Sequence, residues 1–141
     1  YLDQVSADNP VQVTDWTGER LDAHQTSSGL VLLALLPERE RERYLSGHRT
    51  GGTAHTPFDP EDLRKRLDRI AVNRIEWTCD EFIEGISSVA APVTGIGGRV
   101  VAAIHVHGPS YRFPASGTEA EIVELLLATA ARVTARLVAN E

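Results

Sequence analysis

The sequence of 141 residues lacks several residue types and patterns, and each absence excludes a class of protein. It has a single cysteine, Cys79, so an internal disulfide is impossible and a reducing compartment is expected. No apolar run approaches the roughly 20 residues of a transmembrane helix, and no cleavable signal peptide is recognisable. We therefore expect a cytoplasmic chain without a membrane partner. Because methionine is also absent, we expect it to be part of a longer protein.

Clusters of positive charge are missing as well. The chain has 14 Lys and Arg residues against 20 Asp and Glu, which gives a formal net charge of −6. Its densest arginine segment, residues 38–43, alternates glutamate with arginine. Domains that bind nucleic acid usually carry a basic face. DNA is therefore not expected to contact these residues directly.

Recognisable catalytic motifs are absent too. The sequence has no nucleophile elbow, no phosphate-binding loop, no His-Glu-x-x-His and no paired-cysteine zinc motif. A histidine acid–base pair is chemically available, but no nucleophile or orienting carboxylate stands at a recognisable spacing. We therefore expect that the chain is not an enzyme.

The strands that the sequence does predict belong to an antiparallel sheet. Residues 1–5 and 11–16 have the apolar and polar character of half-buried strands, with turn residues Asp8-Asn9-Pro10 between them. A short strand is predicted at 75–77. Two β-branched runs, 86–93 and 100–106, are joined by a glycine-rich segment that predicts a hairpin.

Helices are predicted from capping residues and apolar periodicity. Thr26-Ser27-Ser28-Gly29 precedes an apolar run to Leu36, which is typical of a helix buried on most sides. Asp59-Pro60 begins an amphipathic helix. Arg66 is expected on its basic face, which is exposed to solvent. Near Asn73 the helix is expected to end in a left-handed cap. A short charged helix is predicted from Pro37 to Leu45. A last helix begins at a capping box. Its inner side is expected to consist of Ile122, Leu125, Leu126, Val133 and Leu137. With consecutive strands and helices on the sheet faces, the fold class is α+β in one domain spanning 1–141.

His105 and His107 are the most unusual pair of polar residues. Two residues apart on a strand, they share one face, whereas Ile104 and Val106 lie on the other. Three interpretations stay open: solvent-exposed strand residues, the lining of a polar ligand pocket, or half of a zinc site completed by Asp80, Cys79 or His24. The segment Ser27-Ser28-Gly29 is either an ordinary helix start or an anion site, since the first turn presents unpaired amides.

Taken in order, several blocks of the sequence resemble the C-terminal domain of the IclR family of bacterial transcription regulators. The most specific are Glu84-Gly85 to Val93, Gly98-Arg99 to Ile104, and Gly108-Pro109. The resemblance also includes residues 24–41 and 59–70, and so runs over nearly all of the chain. It implies a GAF/PAS-like antiparallel sheet with helices on its faces, N-terminally incomplete here, and a DNA-binding winged helix-turn-helix domain outside this chain.

The resemblance also implies a function and a site. Such a domain binds a small-molecule effector, often a carboxylate or aromatic acid, forms homodimers or homotetramers, and reaches operator DNA only through the other domain. Carried over to this sequence, the ligand-binding residues are Ser27, Ser28, Gly29, Thr78, Ser88, His105 and His107. Thr78 stands where the family often has Asp, Ser88 where it often has Cys, and the two histidines where small polar residues are usual. No cofactor is expected, with zinc at His105 and His107 as the alternative.

Overall fold

The computed structural model describes residues 1–6 and 14–139, and within them four helices enclose one antiparallel sheet. This arrangement confirms the α+β class. A short 3-10 helix, Ala23–Gln25, leads into the first α-helix, and a second, Ile96–Gly98, lies in the hairpin turn. In chain order the other elements are α1 (Ser27–Ala34), α2 (Glu38–Ser46), α3 (Pro60–Asn73), β1 (Glu76–Cys79), β2 (Ile86–Thr94), β3 (Val100–Pro109) and α4 (Glu119–Ala139).

The sheet has the order β1-β2-β3, and both pairs of strands are antiparallel. Side chains of the central strand β2 alternate between the two faces. Val89, Ala91 and Val93 pack with α4, whereas Ala90 packs with α1 and α3. The sheet is therefore a middle layer with a hydrophobic core on each side.

The core on the α1 side confirms the predicted buried helix and apolar stripe. Leu30 and Val31 of α1 are fully buried, as are Leu63, Leu67 and Ile70 of α3. Asp59 accepts hydrogen bonds from the amides of residues 61 and 62, so it caps α3 as expected. This packing holds the first turn of α1 against the sheet.

The inner side of α4 was only partly predicted. Leu126 and Ala130 are buried, and Ile122 and Val133 pack beside them. Leu125, however, is 60% exposed, because it precedes Leu126 by one residue and so points about 100° away from the core. Leu137 is also exposed. No helix in the described part of the chain has both the length and the apolar character that crossing a membrane requires.

The predicted strand over residues 1–5 is wrong. Tyr1 accepts a hydrogen bond from the amide of Gly18 and donates one to Glu19, but no strand ladder forms over residues 1–6. Thr17-Gly18 forms the expected turn. The turn predicted at 8–10 and residues 11–13 of the strand predicted at 11–16 lie outside the described residues, and 14–16 are irregular.

Two predictions for α3 need correction. Its left-handed cap is Arg74, with φ 56°, rather than Asn73. Arg66 is not solvated: its guanidinium lies 2.6 Å from a carboxylate oxygen of Glu76 and 2.7 Å from one of Glu81. Because both glutamates are buried, the arginine turns towards them instead of towards water.

Candidate functional site

Strand register places three predicted site residues in one row across the sheet. Thr78 of β1 is opposite Ser88 of β2, and Ser88 is opposite His107 of β3. In the next row His105 is opposite Ala90, on the same face of the sheet. This is the face that α1 covers, so the sheet brings Thr78, Ser88 and both histidines to the start of α1.

A chain of hydroxyl groups links this row to the helix. Ser88 Oγ lies 2.7 Å from Ser27 Oγ and 2.9 Å from Thr78 Oγ1. Ser27 is buried in the first turn of α1, and Thr78 is buried on β1. Each hydroxyl can donate one hydrogen bond and accept others, so the orientation of the chain can adjust to a polar group placed beside it.

The first turn of α1 is capped by the residue that precedes it. The Thr26 hydroxyl accepts a hydrogen bond of 3.1 Å from the Gly29 amide, so that amide is already satisfied. A Cβ at Gly29 would lie 2.5 Å from Ala23 Cα, so glycine is needed for close packing of the preceding 3-10 helix. Among the described residues, the buried Ser28 Oγ makes no hydrogen bond of standard geometry. Whether the other amides of this turn bind an anion stays a prediction.

The two histidines form a stacked pair. Their ring centroids are 5.2 Å apart, and the ring planes are inclined by 25°. Burial, reinforced by the neighbouring imidazole of His107, lowers the pKa of His105 to about 4. Burial also lowers the pKa of His107. Both rings are therefore neutral near pH 7, and each can offer one N–H donor and one nitrogen acceptor.

Aromatic side chains form the remaining wall of the site. Trp16 contacts the His107 ring at 5.6 Å and the Phe82 ring at 5.4 Å, while Tyr1 contacts His105 edge-on at 5.0 Å. The cavity left between these groups is about 20 Å³, room for about one water molecule. Among the described residues, its lining contains no lysine or arginine; it comprises Tyr1, Trp16, Thr26, Thr78, Phe82, Ile86, Ser88, His105 and His107.

A buried ion cluster supports the Phe82 side of this wall. Arg66 of α3 makes two hydrogen bonds to the Glu81 carboxylate, of 2.7 and 2.9 Å, and one of 3.1 Å to the Trp77 carbonyl. The Glu81 carbonyl accepts a further hydrogen bond from Thr56. Because Phe82 follows Glu81 directly, these contacts hold the segment that presents its ring to the cavity.

Sequence reasoning placed Thr78, Ser88, His105 and His107 correctly around one cavity, with Ser27 bonded to it through Ser88. It missed Tyr1, Trp16 and Phe82, although isolated aromatics in polar segments were a usable signal. Whether these residues bind a ligand stays a prediction. The described part of the chain contains no group of three or more His, Cys, Asp or Glu side chains that could hold a metal ion, so the zinc alternative lacks further ligands there.

Comparison with known proteins relates this arrangement to one family. The family described as "Bacterial transcriptional regulator IclR C-terminal" matches residues 1–135. The chain is 34% identical to the HTH-type transcriptional regulator Rv1719 of Mycobacterium tuberculosis over 134 residues, 95% of this chain and 51% of that protein. It therefore spans about half the length of that relative.

Two solved structures with the same fold hold aromatic acids. One is an IclR homolog from Microbacterium hydrocarbonoxydans complexed with 4-hydroxybenzoate; it has a TM-score of 0.76 and 28% identity, and the match covers 89% of this chain and 50% of that one. The other is a double mutant of the inducer binding domain of the PobR transcription factor from Acinetobacter, complexed with 3-hydroxybenzoic acid. It has a TM-score of 0.79 and 26% identity, and the match covers 90% of this chain and 73% of that one.

Proposed function

This chain belongs to the IclR family of bacterial transcriptional regulators, as its C-terminal, effector-binding domain, and from that premise we propose that its pocket binds a small aromatic acid. The observation that carries the proposal is the composition of the cavity wall. Hydroxyls and imidazoles line it together with the rings of Trp16 and Phe82.

Each part of such a ligand has a matching group in the pocket. A benzoate ring is flat and apolar, and edge-to-face or offset contact with Trp16 and Phe82 suits it. A carboxylate or phenolic hydroxyl can accept hydrogen bonds from Ser88 and from the imidazole N–H groups of His105 and His107. The hydroxybenzoates held by the two related structures have this combination of groups.

Two features favour an acid of modest size over a larger ligand. The cavity of about 20 Å³ opens further only if a wall side chain moves, so the cost of binding rises with ligand volume. No fixed cation lines the described pocket, so a single carboxylate is easier to accommodate than two.

In the whole regulator, we propose that ligand binding alters the equilibrium between two conformations or assemblies, which the DNA-binding domain then reads at the operator. The shift can be no larger than the difference in ligand affinity between the two states. We propose homodimers or homotetramers as the assemblies, since Leu125, Leu127 and Val138 leave apolar surface exposed on α4. Light scattering during gel filtration measures the assembly, and a monomer at all concentrations would overturn this part.

A thermal melting screen tests the ligand class. The compounds are 3- and 4-hydroxybenzoate, benzoate, cyclohexanecarboxylate and phenol, each at the same concentrations. The proposal predicts that the aromatic acids raise the melting temperature more than cyclohexanecarboxylate does, because the ring contacts require a flat π-face. Equal shifts for all carboxylates, or no shift for any aromatic acid, would count against it.

A further inference from the structure

The Tyr1 side chain shares its aromatic ring with the ligand class proposed above, and its phenol with the hydroxybenzoates. It is a hydroxyphenyl group, and it lies against the His105 ring with centroids 5.0 Å apart. It lines the same cavity as Thr26, the residue that caps the first turn of α1. The ring of Tyr1 thus contacts one of the imidazoles to which a hydroxybenzoate is proposed to bind.

The backbone holds Tyr1 in this position from outside the pocket. Its nitrogen donates a hydrogen bond of 2.8 Å to the Glu19 carbonyl, and its carbonyl accepts one of 3.0 Å from the Gly18 amide. Both partners belong to the turn that follows Trp16, the other aromatic wall residue from this part of the chain. The side chain can therefore leave the pocket by rotating about its own bonds while the backbone contacts persist.

With Tyr1 in place, the remaining cavity of about 20 Å³ is far smaller than a benzoate ring. A ligand and the Tyr1 ring cannot both contact His105 and the first turn of α1. We propose that Tyr1 is an internal competitor for the effector subsite, and that a hydroxyaryl or aryl carboxylate ligand binds by displacing it.

This inference rests on the proposed function and extends it to ligand selection. A ligand must replace the ring contact that Tyr1 makes with His105, so an aliphatic acid of the same size gains less from displacing it. Burial raises the pKa of the Tyr1 phenol, which keeps the phenol neutral and able to donate a hydrogen bond in the pocket.

Removal of the ring gives a direct test by titration calorimetry on the full chain. Tyr1→Ala leaves space of the shape of a phenol, so this variant is expected to bind phenol, whereas the wild type binds it weakly or not at all. It should also bind 4-hydroxybenzoate about tenfold more tightly, which is the gain expected if the wild-type pocket is free of Tyr1 about one-tenth of the time. Tyr111→Ala is the matched control, because Tyr111 is a tyrosine exposed on the surface.

The outcomes separate this inference from the proposed function. Phenol binding by Tyr1→Ala without binding of any benzoate by either protein supports the internal competitor and overturns the aromatic acid ligand. Unchanged affinity for 4-hydroxybenzoate together with no binding of phenol overturns the internal competitor and leaves the acid ligand standing.

A second measurement needs no alanine variant and so covers the case in which Tyr1→Ala does not fold. The chain has three tyrosines, so incorporation of fluorotyrosine gives three ¹⁹F NMR signals, and Tyr1→Phe identifies the one from Tyr1. Saturating 4-hydroxybenzoate should move that signal to the position of an exposed tyrosine such as Tyr111. A Tyr1 signal that stays at its buried position in the ligand-saturated protein would overturn the proposal.

Discussion

Ser27 Oγ and Ser88 Oγ lie 2.7 Å apart, although 61 residues separate them in the sequence. One begins α1 and the other lies on the central strand β2, so this contact joins the two elements that form the pocket. Because Ser88 also contacts Thr78 on β1, its hydroxyl is the middle member of a chain across three elements.

Ser88→Ala should weaken both the fold and ligand binding. Loss of the shared hydroxyl leaves Ser27 and Thr78 each short of one partner, which costs about 1–3 kcal/mol of the free energy of unfolding. The affinity for 4-hydroxybenzoate should fall about tenfold, if one hydrogen bond of roughly 1.4 kcal/mol to the ligand is lost. Urea unfolding and calorimetry measure the two effects. Exposed Ser116→Ala is the control, and equal affinity of Ser88→Ala and this control would contradict the role given to Ser88.

Arg66→Gln should be strongly destabilising, since it leaves the buried carboxylates of Glu76 and Glu81 without their counter-charge. Removal of one partner of a buried ion pair typically costs about 3–5 kcal/mol. Arg69→Gln is the matched control on the same helix, because Arg69 is 60% exposed and its nearest nitrogen is 3.8 Å from Glu76. If urea unfolding gave the two variants the same stability, the ion cluster would not be a support of the fold.

Gly29→Ala should destabilise the protein by about 2 kcal/mol or more, the upper range for overpacking, because the new Cβ would overlap the Ala23 backbone. Backbone cannot move aside as a flexible side chain can. Gly47→Ala provides the comparison: its Cβ would lie 3.3 Å from the nearest atom and its φ of −77° suits alanine, so a change near zero is expected. Thermal unfolding of both variants measures the difference, and a fully stable Gly29→Ala would show that the 3-10 helix can shift.

Stability should fall as the pH is lowered from about 6.5 towards 4. His105 has a folded pKa of about 4 and an ordinary unfolded value of 6.5, so between these values the unfolded chain binds more protons than the folded one. The neutral His105 ring contributes fully to the free energy of unfolding above pH 6.5. As the pH falls to about 4, this contribution decreases by up to about 3 kcal/mol, because each pH unit is worth 1.36 kcal/mol.

His105→Gln removes this titration and should reduce the pH dependence of unfolding in that window, while His107, whose pKa is also lowered, keeps part of it. The exposed loop histidine His48 is the control, since His48→Gln is expected to leave the slope unchanged. Urea unfolding at intervals between pH 4 and 7 measures both variants. A slope in His105→Gln equal to that of the wild type would assign the acid sensitivity to other groups.

Much of the fold could be predicted from local sequence signals. The apolar stripe of α3, its Asp59 cap and the glycine-rich hairpin turn depend on neighbouring residues, and the structure confirms each of them. His105 and His107 share a face because strand alternation alone dictates it. The family resemblance then supplied Thr78 and Ser88, which no local pattern would have selected.

The rest depends on contacts between distant residues. Arg66 was assigned to a solvated face because three other basic residues surround it in sequence, and only the fold brings Glu76 and Glu81 to it. The sequence alone could not show that the Gly29 amide already donates a hydrogen bond, because this bond depends on the orientation of the Thr26 side chain. Tyr1 lies in a segment that reads as a strand, yet its side chain enters the pocket because its backbone pairs with the turn at Gly18 and Glu19.

The central claim is that the pocket on the α1 side of the sheet binds an aromatic acid, and titration calorimetry with 4-hydroxybenzoate tests it most directly. The account predicts one site per chain in the wild type and about thirtyfold weaker binding in His105→Ala/His107→Ala, which is the loss of two hydrogen bonds of roughly 1 kcal/mol each. His48→Ala/His55→Ala, which removes two exposed histidines, should bind as the wild type does. Equal affinity in both double variants would contradict the account.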